Sequence, residues 1–195
     1  MDLLKKWGII ASLCFIVLLP FPFFLLRFWT DLIHNTFNPI CQSILSLINP
    51  ERTYYGIESD SAGMWVLMAL IVVSSFFVAL VWNKKRNGMS PAIGNWHRTI
   101  IAYFLGFILI KYGVDKLLLN QFYFPEPNTL YTRVGELDKS LLYWTSMGTS
   151  KLYSMFAGFI EIIPGILLLF RRTRTFAGFI ALLVFTNVFF LNIGF

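Results

Sequence analysis

The sequence predicts an all-α, polytopic membrane helical bundle: five transmembrane helices, an outer interfacial helix and a long outer loop. Three observations predict it. Hydrophobic residues make up 57% of the chain and charged residues only 13%, against about 25% charge in a soluble domain; mean hydropathy is +0.68. The apolar residues gather into runs near the ~20 residues that cross a bilayer. All six tryptophans sit at or near the ends of those runs, as an aromatic belt does: Trp7, Trp29, Trp65, Trp82, Trp96 and Trp144.

The first span is expected over 8–27, behind Lys5 and Lys6, and kinked or broken around Pro20 and Pro22. A signal peptide is the rival reading. The apolar run exceeds the usual ~7–15 residues, and no small-x-small cleavage site follows it. Within 28–48, apolar residues recur at helical intervals among Asp31, His34 and Asn35, which predicts an interfacial helix against the bundle. Residues 49–63 read as an exposed loop. The second span, 63–83, carries no charge, and a basic connector follows it. The third, 98–119, holds Lys111, Asp115 and Lys116 towards its far end. Residues 120–150 are too long for a mere connector. Phe122, Phe124, Tyr131, Leu141, Leu142 and Trp144 predict that this segment docks on the bundle. The fourth and fifth spans are expected at 151–170 and 175–195. The whole is one membrane domain, with N-terminal helices over 1–97 and core helices over 98–195.

Loop charge sets the orientation. The N-terminus and the connectors at 84–98 and 171–174 hold nine Lys and Arg and one acid, Asp2. The positive-inside rule puts these segments in the cytoplasm and both long loops outside. The N-terminus is then cytoplasmic, with the lipid bilayer as the first partner. The net charge of +6 is no nucleic-acid footprint, because the basic residues cap apolar runs and form no patch.

The fourth span carries the sharpest candidate site. Glu161 lies at its centre, and a carboxylate at that depth must face protein, water or a partner. Pro164 leaves the Ile160 carbonyl without its helical donor. Ser154, Gly158, Glu161 and Gly165 follow 4-3-4 spacing and share one small, polar face, where a neighbouring helix packs closely. Glu161 either carries a proton or ligand, or is a structural carboxylate neutralised by a lysine. Lys116 is on the face of Gly106 and Gly113. Lys111 is better matched in depth, at ~12–14 Å below the outer end against ~15 Å for Glu161 and ~5–7 Å for Lys116. Lys111 and Asp115 are also i,i+4 neighbours that can satisfy each other. The ranking is Lys116 first, Lys111 second. Asn187 and Asn192 of the last span are candidates whose bland role is interhelical hydrogen bonding. Arg133 and Trp144 could cap a cavity, and a solvated loop charge is the bland role of Arg133. His34 and His97 fall on opposite sides, and Cys14 and Cys41 form no C-x-x-C pair. Neither haem, iron–sulfur nor zinc has credible ligands, and no resident metal or cofactor is expected.

Arg98, Gly106 and Tyr112-Gly113-x-x-Lys116 resemble the first core helix of DoxX-like membrane proteins. YWTSMG, GFIEIIPGILLLFRRTRTFAGFIAL and NVFFLN resemble the next two. The resemblance covers about 98–195 and is closest to larger bacterial members with two extra N-terminal helices. It implies a membrane four-helix core in a group associated with thiosulfate:quinone oxidoreductase subunits and redox-linked complexes. A diffusible quinone, or a small sulfur-containing or apolar molecule, is the ligand class it implies; no settled activity comes with it. The family core has a fourth helix, whereas this chain stops after the third without a polar tail; either the product is truncated or the N-terminal helices fill the gap, and truncation is the expectation. A non-catalytic scaffold or anchor for an extracytoplasmic or membrane protein partner is the alternative, and a small transporter module using a Lys–Glu pair is another.

Overall fold

The computed structural model describes residues 2–19, 27–50, 54, 56–57, 61–85, 91–122 and 124–194. It is helical: α1 Asp2–Leu18, α2 Arg27–Ile48, α3 Ala62–Lys85, α4 Pro91–Leu117, α5 Pro127–Tyr131, a 3-10 turn Val134–Glu136, α6 Lys139–Gly148, α7 Lys151–Leu169 and α8 Arg174–Gly194. No strand occurs among the described residues. The chain divides into two compact units, Met1–Thr99 and Ile100–Phe195.

Three described helices are long and apolar enough to cross a membrane: Ala62–Lys84, Lys151–Leu169 and Arg174–Leu191. This marks a membrane protein but falls short of the five expected spans. Helix α1 is 17 residues long and carries Lys5 and Lys6; the expected break at Pro20 and Pro22 lies outside the described residues. Helix α4 is 27 residues long, but Arg98, Lys111, Asp115 and Lys116 interrupt its apolar sequence. Length and apolarity alone therefore do not carry a count of five.

In the first unit α1 and α2 both pack on α3. The stripe Ile33, Phe37, Cys41 and Leu45 recurs every fourth residue, which keeps it on one face of α2. Cys41 joins Ile57, Met64, Leu67 and Ile71 in a core that Cys14, Phe15 and Leu18 of α1 pack against. Polar pairs run along the α1 seam. Lys6, only 1% exposed, donates to Asn83 Oδ1 at 2.9 Å, and Trp7 Nε1 donates to Ser75 Oγ at 3.1 Å. Ser12 Oγ and His97 Nε2 are 2.7 Å apart.

In the second unit α4, α7 and α8 share a core of Leu109, Leu168, Ala177, Ala181 and Val184. The small face of α7 is buried at Ser154, Gly158, Glu161 and Gly165, and it meets the backbone of α4. A Cβ at Gly113 would lie 2.7 Å from the Gly158 carbonyl oxygen, and one at Gly106 would lie 2.8 Å from that of Gly165. The reciprocal distances from Gly158 and Gly165 are 2.7 and 2.9 Å. On both helices the two glycines are seven residues apart, so antiparallel helices touch twice, two turns apart. The turn into α8 satisfies the end of α7: Thr173 Oγ1 donates to the Leu167 carbonyl at 2.7 Å and Arg174 Nε to that of Leu168 at 3.1 Å.

The 120–150 segment folds into α5, the 3-10 turn and α6. Its docking is narrower than its composition suggests. Phe122 is buried and Trp144 half-buried, whereas Phe124, Tyr131, Leu141 and Leu142 are exposed. A ten-residue helix can lay only one face on α7.

Two helical glycines should respond oppositely to one added methyl. Gly113→Ala meets backbone that cannot move aside and should destabilise the protein by about 1–3 kcal/mol. At Gly178 an added Cβ would meet nothing within 4 Å, so Gly178→Ala should be neutral or stabilise by up to ~1 kcal/mol. Thermal unfolding in detergent reads both; a harmless Gly113→Ala would exclude the tight contact.

Candidate functional site: a buried ion pair under an aromatic cover

Lys116 stands in the last turn of α4, where a cation complements the negative end of the helix dipole. Its Nζ donates to both oxygens of Glu161, at 2.8 Å to Oε1 and 2.7 Å to Oε2. Glu161 is 5% exposed and Lys116 6%, so the pair is shut away from bulk solvent. The two partners are brought together by the glycine contacts of α4 and α7, which flank Glu161 on either side along its helix.

The end of α4 supplies the cover. The Asn120 N–H reaches the Asp115 carbonyl at 2.8 Å and the Leu119 N–H that of Lys116 at 3.2 Å, the bond pattern of a Schellman cap. The cap places Leu119 in the left-handed region at φ 59°, where glycine is the usual residue and a side chain costs roughly 1–2 kcal/mol. The reversal folds Phe122 back over the pair. The ring of Phe122 lies 5.5 Å from Lys116 Nζ, and that of Tyr112 lies 5.8 Å from it. Trp144 of α6 packs on Phe122 with ring centres 5.6 Å apart, and Tyr143 meets Trp144 edge-on at 5.1 Å. Burial, then Tyr153, raises the Tyr143 phenol above its ordinary value, so it remains a donor. Beside Phe122 in sequence, Gln121 Oε1 is buried without a hydrogen-bond partner.

The structure thus brings together Glu161, Lys116 and Trp144. Lys111 instead pairs with Asp115 at 2.7 Å in a partly exposed i,i+4 bridge. Arg133 is exposed at the start of the 3-10 turn. Asn187 is exposed on α8. The side chain of Asn192 lies outside the described residues. Depth matching favours Lys111 because it ignores reach: a lysine near a helix end can extend its four-carbon stem along the helix. Tyr112 and Phe122 are the site residues that residue-by-residue reading does not single out. Tyr112 is four residues before Lys116, on the same face, and that spacing is the available signal. Among the described residues no group of three His, Cys, Asp or Glu side chains could hold a metal ion.

No protein-family model matches the chain, and no solved structure matches it. It is similar to an uncharacterized protein, YwoB, of Bacillus subtilis (strain 168), at 32% identity over 89 residues. The match covers 46% of this chain and 56% of that protein. The similarity names no activity and does not bear on the resemblance to DoxX-like proteins.

Breaking a buried pair by removing one partner leaves an uncompensated charge. Glu161→Gln and Lys116→Met should each destabilise by about 3–5 kcal/mol, and the double variant should recover much of that loss. A double-mutant unfolding cycle in detergent checks this; additive effects would mean the two groups are not coupled.

Proposed function

We propose that the chain is a DoxX-like integral membrane subunit that handles a small apolar molecule, a quinone or a sulfur-containing compound, at the Lys116–Glu161 pair. The observation that carries this reading is the bidentate pair buried under the Phe122–Trp144 cover. A buried ion pair is weak as a device for stability, since apolar packing of the same volume does as well or better. Its chemistry accounts better for its place. Glu161 can accept a proton, and Lys116 can donate to a carbonyl or anionic oxygen. The rings around it offer flat apolar surface to a planar ligand. The ligand diffuses in, and no resident cofactor is required.

In this reading α1, α3, α4, α7 and α8 are five spans of a bacterial cytoplasmic membrane. The N-terminus is inside, α2 lies along the outer interface and 120–150 faces outside. The charge asymmetry and tryptophan belt support that orientation. Cysteines introduced at 126–140 should react with an impermeant thiol reagent on intact cells, and cysteines at 84–95 should not. Labelling of 84–95 would reverse the topology.

A second reading is an anchor for an extracytoplasmic partner. Its support is the exposed apolar surface of the outer segment, where Tyr131 is 90% exposed and Phe124 and Val134 are also open. Solvent extraction of the purified protein separates the two. A quinone or other small apolar compound should come away from the unmodified chain and be depleted at least about tenfold in the Lys116→Met/Glu161→Gln double variant. A ligand-free chain that instead retains a soluble protein through 120–150 would replace the first reading with the second.

A further inference from the structure

We infer that the reversal at the end of α4, residues 119–122, is a hinged gate to the Lys116–Glu161 pair: Phe122 swings away from Trp144 on a hinge at Leu119 and uncovers the pair. The inference rests on reading the pair as a binding site and adds the element that moves to admit the ligand.

Two costs of the closed form fall within three residues. Leu119, at φ 59°, is the one non-glycine residue at positive φ among the described residues. The left-handed region disfavours a side chain by roughly five- to thirtyfold. Two residues on, Gln121 Oε1 is buried and accepts no hydrogen bond from any described residue, which opposes its burial. Both costs lapse when the segment swings out. Leu119 then turns to a negative φ, and the Gln121 amide reaches water. Strain of this kind gathers at clamps and switching segments.

The closed form is held by few contacts. Two cap hydrogen bonds fasten the backbone, Leu119 N–H to the Lys116 carbonyl at 3.2 Å and Asn120 N–H to that of Asp115 at 2.8 Å. Phe122 adds its ring contact with Trp144 at 5.6 Å and its face at 5.5 Å from Lys116 Nζ. All of these can break without unwinding α4, because the Leu118 N–H keeps the Val114 carbonyl at 2.9 Å. The hinge also lies beyond Lys116 in the chain, so opening uncovers the ion pair and leaves it intact. The other walls are fixed. Gly106 and Gly113 meet α7 backbone to backbone, and Trp144 belongs to α6, which packs on α7. Of these walls, 119–122 is the one that moves at modest cost.

The test acetylates amines of the full chain in lipid nanodiscs with an N-hydroxysuccinimide ester and reads each lysine by peptide mass spectrometry. It needs no ligand. Lys111, whose side chain is 43% exposed, is the reference within the same molecule. In the unmodified chain Lys116 should react far more slowly than Lys111, at a rate set by the open fraction. Glycine and asparagine both suit the left-handed region. Leu119→Gly and Leu119→Asn should therefore hold the gate shut and slow Lys116 about three- to tenfold. Phe122→Leu stays apolar but loses the ring contacts, and should speed Lys116 about five- to tenfold. Lys111 should be unchanged in all three variants. Lys116 as reactive as Lys111 in the unmodified chain, an unchanged Lys116 rate in both Leu119 variants, or a parallel change at Lys111 would each overturn the gate. A small apolar compound extracted from a chain whose Lys116 rate ignores Leu119 would remove the gate and keep the binding reading. A gated Lys116 in a chain that yields no such compound would keep the gate and remove that reading.

Discussion

The contact on which residues 100–195 depend is backbone against backbone between α4 and α7. Gly106 and Gly113 face Gly165 and Gly158, each within a distance that leaves no room for a methyl group. In lipid there is little hydrophobic force to press helices together, so close packing of small residues must hold them. The matching seven-residue spacing also sets the register. A shift by one turn would put glycine against Ile110 or Ile162, which now pack beside the contact. The same register places Glu161 within reach of Lys116, so geometry at four residues without side chains decides the geometry of the two charged ones.

The ion pair is tolerated at that depth because its surroundings are complete. Both carboxylate oxygens accept from one ammonium group, and two aromatic faces lie around the same nitrogen. Cation–π contacts of this kind are worth up to ~2 kcal/mol when desolvated. The cover depends on a backbone conformation that leucine disfavours, at Leu119. Strain of this kind persists where the surrounding contacts over-determine the chain, and here they do: the cap hydrogen bonds on one side and the Phe122–Trp144 packing on the other.

The same pairing changes how the polar residues of α4 are counted. Hydropathy treats Lys111, Asp115 and Lys116 as three separate costs. In the folded chain Lys111 and Asp115 neutralise each other, and Lys116 is neutralised by Glu161. The first unit repeats the lesson on a smaller scale. Lys6 counts in sequence as a flanking charge, yet it is buried against Asn83. Hydropathy therefore counts residues one at a time that the folded chain holds in pairs.

The sequence by itself determined the helical class, the three most apolar helices and the small polar face of α7. These follow from composition and from the 3.6-residue period, which are local properties. It also placed Glu161 on the face that the fold buries. It left open which lysine Glu161 meets, because Lys111 and Lys116 differ in depth and direction, and only the docking of α4 on α7 turns one of them inward. The role of Phe122 was equally out of reach. It depends on a left-handed residue at the end of α4 and on the position of Trp144, 22 residues further along the chain. Asn187 shows the converse. Its polarity suggested a partner within its own bundle, and the packing of α8 through Ala177, Ala181 and Val184 turned it outward. Helix periodicity states which residues share a face. Which face meets which neighbour is set by the contacts between helices, and those exist only in the folded chain.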